Sequence, residues 1–134
     1  MMQRCKVYFD GGCRPNPGPI EAAVVIRGKV HLLDGLGSGS SQDAEWLALI
    51  GAARLVRELG LGPGLGLGLG PYTLVGDSRE VIAAASAALR TGRAAGGHCR
   101  QFLSLIDDPQ TVRLRWVKRA HNLAGIALAR RHPR

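Results

Sequence analysis

Acidic residues are scarce in this chain. Ten Asp and Glu stand against 18 Lys and Arg, for a formal net charge of +8. That balance favours a polyanionic partner, nucleic acid first, over the plainer alternative of a basic protein that is merely well solvated. Aromatics are few, at 4%, so the core must be built from aliphatic side chains. Cysteines are odd in number (Cys5, Cys13 and Cys99) and form no Cys-x-x-Cys pair. This argues against a disulfide framework and a zinc clip, and three free thiols fit a reducing, cytoplasmic setting. No apolar run reaches membrane-spanning length, and no long basic amphipathic helix suggests a membrane surface. Residues 1–6 lead straight into a strand pattern, so no signal peptide is expected.

What remains is enough for one packed domain over residues 1–134, at 46% hydrophobic. Cys5-Lys6-Val7-Tyr8-Phe9 alternates as a strand and meets a turn signal at Asp10-Gly11-Gly12. Three prolines stiffen residues 14–19 into a loop. Residues 22–26 and 29–33 read as two more strands of an antiparallel meander. Residues 35–41 read as a polar loop, with Ser41 as N-cap of a helix over residues 44–59 and Asp43 and Glu45 in its first turn. Residues 60–70 carry Gly at nearly every second position and read as a surface loop. A strand at 72–75, helices at 79–89 and about 98–106, a strand at 112–117 and a helix from Asn122 towards Arg131 complete the order. This predicts an α/β fold with a five-stranded mixed sheet, three antiparallel strands followed by two parallel ones, flanked by helices.

Three of the ten acids stand at element ends. Asp10 closes the first strand, Glu45 opens the first helix and Asp77 closes the fourth strand. Strand ends on one sheet edge converge, and clustered carboxylates call for a hard cation such as Mg²⁺ or Mn²⁺. Read singly, each is also an ordinary turn or cap residue.

Four segments narrow the choice. Val7-Tyr8-Phe9-Asp10-Gly11-Gly12-Cys13 with Asn16-Pro17-Gly18-Pro19, Ala44-Glu45-Trp46-Leu47-Ala48-Leu49, Val75-Gly76-Asp77-Ser78, and Arg115-Trp116-Val117-Lys118-Arg119-Ala120-His121-Asn122 occur in that order. Together they resemble type 1 ribonuclease H across essentially the whole chain. The resemblance implies a ribonuclease H-like fold that cuts the RNA strand of RNA–DNA hybrids by two-metal-ion hydrolysis. Asp10, Glu45 and Asp77 are then the metal-holding catalytic carboxylates, with Asp10 bridging both ions and Glu45 sensing a 2′-hydroxyl. Cys13, Asn16, Ser40, Ser41, Gln42 and Arg79 are implied as substrate contacts, and His121 as a product-release histidine. The alternative is a hybrid-binding protein with little or no catalysis.

One position departs from the pattern. The family's last helix begins Asn-x-x-Ala-Asp-x-Leu-Ala, and here the ungapped match is Asn122-Leu123-Ala124-Gly125-Ile126-Ala127-Leu128-Ala129. Ile126 replaces the fourth carboxylate, and no acid follows Asp108. Three outcomes stay open: Asn122 supplies an oxygen, the first metal is held by water alone, or cleavage is lost. Asn122 is equally suited to be a plain N-cap. Only residues 91–97 occupy the place of the family's basic protrusion, and no hybrid-binding domain is expected before Asp10. Arg90, Arg93, Arg100, Lys118, Arg119, Arg130, Arg131 and Arg134 are then the expected affinity cations of a monomer.

Overall fold

A computed structural model describes residues 4–59 and 71–132. The element order is β1 (Cys5–Cys13), β2 (Gly18–Ile26), β3 (Lys29–Leu33), β4 (Ser38–Gly39), α1 (Ser41–Glu58), β5 (Tyr72–Gly76), α2 (Arg79–Thr91), α3 (Gly97–Ser104), β6 (Val112–Trp116) and α4 (Leu123–Arg130). The main sheet runs β3-β2-β1-β5-β6. β1, β2 and β3 are antiparallel, while β5 and β6 run parallel to β1. The predicted mixed sheet is therefore present, with the two-residue β4 added against the start of β2. The glycine-rich loop predicted over 60–70 lies outside the described residues.

The largest core lies between one sheet face and α1, α2 and α3. Val7, Phe9, Leu49, Leu74, Val81 and Phe102 are fully buried there. α4 covers the other face at β1 and β2 and closes a smaller cluster of Ala23, Val25, Ala124 and Leu128.

Three expected boundaries are corrected, each for a tertiary reason. β1 does not turn at Asp10; it continues to Cys13 because β2 pairs with it over Asp10↔Ala23, Gly11↔Ala22, Gly12↔Glu21 and Cys13↔Ile20. The stiff loop accordingly ends at Pro17, since Gly18 and Pro19 pair with Gly39 and Ser38. The cap of α1 is Ser40 rather than Ser41. Its hydroxyl accepts from the Asp43 amide at 3.1 Å, and Asp43 Oδ2 accepts from the Ser40 amide at 3.0 Å, a reciprocal capping box. Starting the helix at Ser41 leaves Asp43 in its first turn and moves Glu45 just beyond it.

One contact sets how closely α1 meets β1. A Cβ built on Gly11 would lie 2.1 Å from the Ala44 carbonyl oxygen. Gly11→Ala should force the start of α1 away from the sheet and cost about 2–4 kcal/mol of stability. Urea unfolding checks this; a midpoint unchanged from wild type would contradict the close approach.

Candidate active site

Parallel pairing of β1 with β5 ends at Tyr8↔Val75. Asp10 lies one pleat repeat beyond, and Asp77 follows directly on β5. Glu45 descends from α1 onto the same spot, where its Oε1 accepts from the Gly11 amide at 3.1 Å. A ligand oxygen from each of Asp10, Glu45 and Asp77 lies within 4.8 Å of the others. Among the described residues this is the one group of three or more His, Cys, Asp and Glu side chains so placed.

The electrostatics are adverse without a cation. Two unit charges at this separation repel by about 3–4 kcal/mol at an effective dielectric near 20. Burial, with repulsion from Asp10 second, pushes the Glu45 carboxyl up to about 9. Burial also raises Asp10, to about 6, with Asp77 adding to the rise while Glu45 and Arg119 oppose it. Glu45 Oε2 is buried and has no hydrogen-bond partner. Three hard oxygen donors, one of them orphaned, fit a divalent cation of the Mg²⁺ or Mn²⁺ class.

Asn122 is fully buried among these groups. Its Oδ1 accepts from the Ala124 amide at 3.1 Å and caps α4. Its Nδ2 donates to the Phe9 carbonyl at 3.0 Å and to Asp77 Oδ2 at 2.9 Å. The amide therefore presents its donor, not its oxygen, to the carboxylates. The residue of α4 that faces Asp10 is Gly125, whose Cβ would lie 3.4 Å from Asp10 Oδ2. Ile126 is 37% exposed, and it is not among the residues lining the cleft.

A cleft of about 650 Å³ opens over the carboxylates, and Cys13, Ser41 and Gln42 are among the residues lining it. Asn16 stands behind Ser41: its Oδ1 accepts from the Ser41 amide at 3.2 Å, and its Nδ2 donates to Ser41 Oγ at 3.3 Å. Gln42 Nε2 donates to Glu80 Oε2 at 3.2 Å, tying α1 to α2. Ser40 is committed to its capping box. Arg79 lies 3.8 Å over the Trp116 ring, and Trp116 Nε1 donates to the Asp77 carbonyl at 3.0 Å. His121 is exposed in the 3₁₀ turn Arg119–His121 and does not line the cleft. Arg119, from the same turn, does, as do Glu21 and Glu80. Those two acids went unmarked in the sequence because neither closes a strand nor sits in a motif. Trp116 was visible there as a motif residue, but its hold on Asp77 depends on β6 lying beside β5.

No protein-family model matches the chain, and no curated protein matches it by sequence. Solved structures do match. Ribonuclease H1 from the halophilic archaeon Halobacterium salinarum is 25% identical, with a TM-score of 0.61 over 94% of each chain. The fold is that of ribonuclease H1. The N-terminal ribonuclease H domain of Rv2228c from Mycobacterium tuberculosis is 21% identical, with a TM-score of 0.66 over 94% of this chain and 95% of that one. A ribonuclease H1 isolated from compost, solved in complex with RNA/DNA hybrid, is 20% identical, with a TM-score of 0.67 over 90% and 89%. In this ribonuclease H1 fold the three acids singled out by position are the three that meet.

The raised carboxyls make a signed pH prediction for the metal-free protein. An acid whose folded-state pKa exceeds its unfolded value near 4 stabilises the fold at low pH, and that stability is lost as pH rises through the folded value. Between about pH 5 and about pH 9, wild type should lose about 5 °C or more of Tm relative to Glu45→Gln. Mn²⁺ or Mg²⁺ should restore the wild type at the alkaline end. Parallel melting curves for the two proteins across that range would contradict the buried-carboxyl account.

Proposed function

We propose that this chain is a divalent-cation-dependent endoribonuclease that hydrolyses the RNA strand of RNA–DNA hybrids. The observation that carries the reading is the meeting of Asp10, Glu45 and Asp77 just past the end of the β1–β5 pairing, in a ribonuclease H1 fold. A neighbour of the same fold is held on an RNA/DNA hybrid, which supports the substrate class. The expected partner is thus an RNA–DNA hybrid, and the expected cofactor Mg²⁺ or Mn²⁺, in two positions of which the first is the weaker. All three carboxylates come from one chain, which suits action as a monomer. No described helix is long and apolar enough to cross a membrane. The free thiols of Cys5, Cys13 and Cys99 suit a cytoplasmic setting.

Asp10, Glu45 and Asp77 would hold the cations, with Asp10 placed between the other two acids. When bound, the ions supply a nucleophile at neutral pH and stabilise the charge on the leaving oxygen. Asn122 acts on Asp77 as a positioning residue: a donor amide at 2.9 Å, fixed by its own cap and by the Phe9 carbonyl, holds the carboxylate at one angle. Arg119 brings a guanidinium to the rim beside Asp10, suited to a phosphate oxygen. Ser41, Gln42 and Cys13 line the path of the sugar-phosphate backbone; Asn16 braces Ser41, Ser40 caps α1, and Arg79 stacks on the Trp116 that holds the Asp77 carbonyl. Five residues, 92–96, join α2 to α3. With so short a link there, affinity within the described residues falls to cations elsewhere on the surface.

The second reading, a hybrid-binding protein without cleavage, is favoured by α4, which offers Gly125 and Ile126 where a fourth carboxylate is wanted. A labelled hybrid separates the two readings. Wild type should cut its RNA strand in Mn²⁺ and more slowly in Mg²⁺, and Asp10→Asn should lower the rate by at least about 100-fold. Binding without cleavage in either metal would select the second reading. Gly125→Asp, which places a fourth carboxylate beside Asp10, should lower the Mg²⁺ concentration needed for half-maximal rate. An unchanged or higher requirement would remove position 125 as the missing corner.

A further inference from the structure

The sheet face that carries α4 is only partly covered. α4 rests on β1, β2 and the edge of β3; on the same side of β5 and β6, Val75 is buried, Thr73 is half-buried, and Arg113 and Arg115 are exposed. Pairing fixes which side chains stand there. Val25, Tyr8, Val75 and Arg115 form one row across β2, β1, β5 and β6. Lys6, Thr73 and Arg113 form the next. Arg27, at the β2–β3 turn, joins Arg4, Lys6 and Tyr8 around a shallow concavity at the end of these rows.

Lys6, Arg27, Arg113 and Arg115 are exposed, and none makes a salt bridge among the described residues. All ten acids of the chain lie in the described segments. Arg4 donates to the Tyr72 and Thr111 carbonyls, and its pKa is lowered by burial and then by repulsion from Arg113. The cations therefore crowd one another without compensation. Such a surface attracts a chain of phosphates.

The strip lies on the same sheet face as Asp10. Lys6, Tyr8 and Asp10 share one face of β1 at steps of about 6.8 Å. Beyond α4 it spans the two strands β5 and β6, roughly 10 Å at about 4.8 Å per strand. A groove of that width beside a standing helix accepts one strand, and half-buried Tyr8 gives a base a ring to lie on.

We propose that this strip, formed by Lys6, Arg113, Arg115, Arg27 and Arg4, binds a single-stranded nucleic-acid extension continuous with the hybrid in the cleft. The inference rests on the nucleic-acid reading of that cleft. It does not require that the cleft be catalytic.

The test uses the full chain in EDTA and fluorescence anisotropy. The probes are a short blunt RNA–DNA hybrid and the same hybrid with a single-stranded extension, over a range of NaCl. The extension should tighten wild-type binding about tenfold or more. Lys6→Thr/Arg113→Thr/Arg115→Thr, which keeps β-prone residues in both strands, should lose that gain, leave the blunt hybrid unaffected, and reduce the log–log salt slope by about 2. Arg113→Lys/Arg115→Lys should retain the gain. Should the triple variant fail to fold by circular dichroism, Arg115→Thr alone should cut the slope by about 0.7. An extension that adds no affinity, or a gain that survives the substitutions, would overturn the proposal. So would charge-dependent binding to phosphatidylserine vesicles with nucleic-acid binding untouched. A wild type that never cuts the hybrid but shows the extension effect would sink the enzymatic reading and leave this one standing.

Discussion

The site depends on the fit of α1 against the backbone of Gly11. The helix approaches β1 so closely that the Ala44 carbonyl occupies the space a side chain at position 11 would need. That approach brings Glu45 down to the strand, where the Gly11 amide holds one of its oxygens. The other oxygen is left buried and unpartnered beside Asp10. Gly11, a capped helix start and a strand that outruns its parallel neighbour thus create one concentrated patch of negative potential. It sits in a protein of net charge +8. The pairing of an acidic centre with a basic surround suits a polyanion that must be drawn in and then met by cations at one phosphodiester.

The opposite wall is less usual. α4 is held to the site by Asn122, which caps the helix and donates to Asp77. It brings no acid. A donor amide lowers the cost of the Asp77 charge but cannot replace an oxygen ligand. The carboxylates of Asp10, Glu45 and Asp77 thus stand without an acid from α4 beside them.

Much of this was legible in the residues. Strand alternation, the spacing of apolar residues in α1 and the order of four motifs gave the sheet and the three acids. Other features needed the third dimension. Asp10-Gly11-Gly12 reads locally as a turn, yet its glycines serve a helix packing on a continuing strand. Ser40 and Ser41 are equivalent until Asp43 is seen to close the box with one of them. Asn122 was legible as cap or ligand, but its amide orientation is set by the Phe9 carbonyl, 113 positions away. Gly125 and Ile126 are neighbours in sequence, and only the helix phase decides which one faces Asp10. Arg113 and Arg115 read as the polar side of a strand, and their open face becomes visible only once α4 is placed.

The central claim is that Asp10, Glu45 and Asp77 form a site for a divalent cation, and that a cation bound there displaces protons from carboxyls that burial has raised. Calorimetric titration of the nucleic-acid-free protein with Mn²⁺ near neutral pH, in buffers of differing ionisation enthalpy, tests it directly. The account predicts saturable binding, abolished by Asp77→Asn, with proton release that depends on pH as the Glu45 and Asp10 carboxyls give up their protons. Binding without proton release, or binding that survives Asp77→Asn, would contradict it.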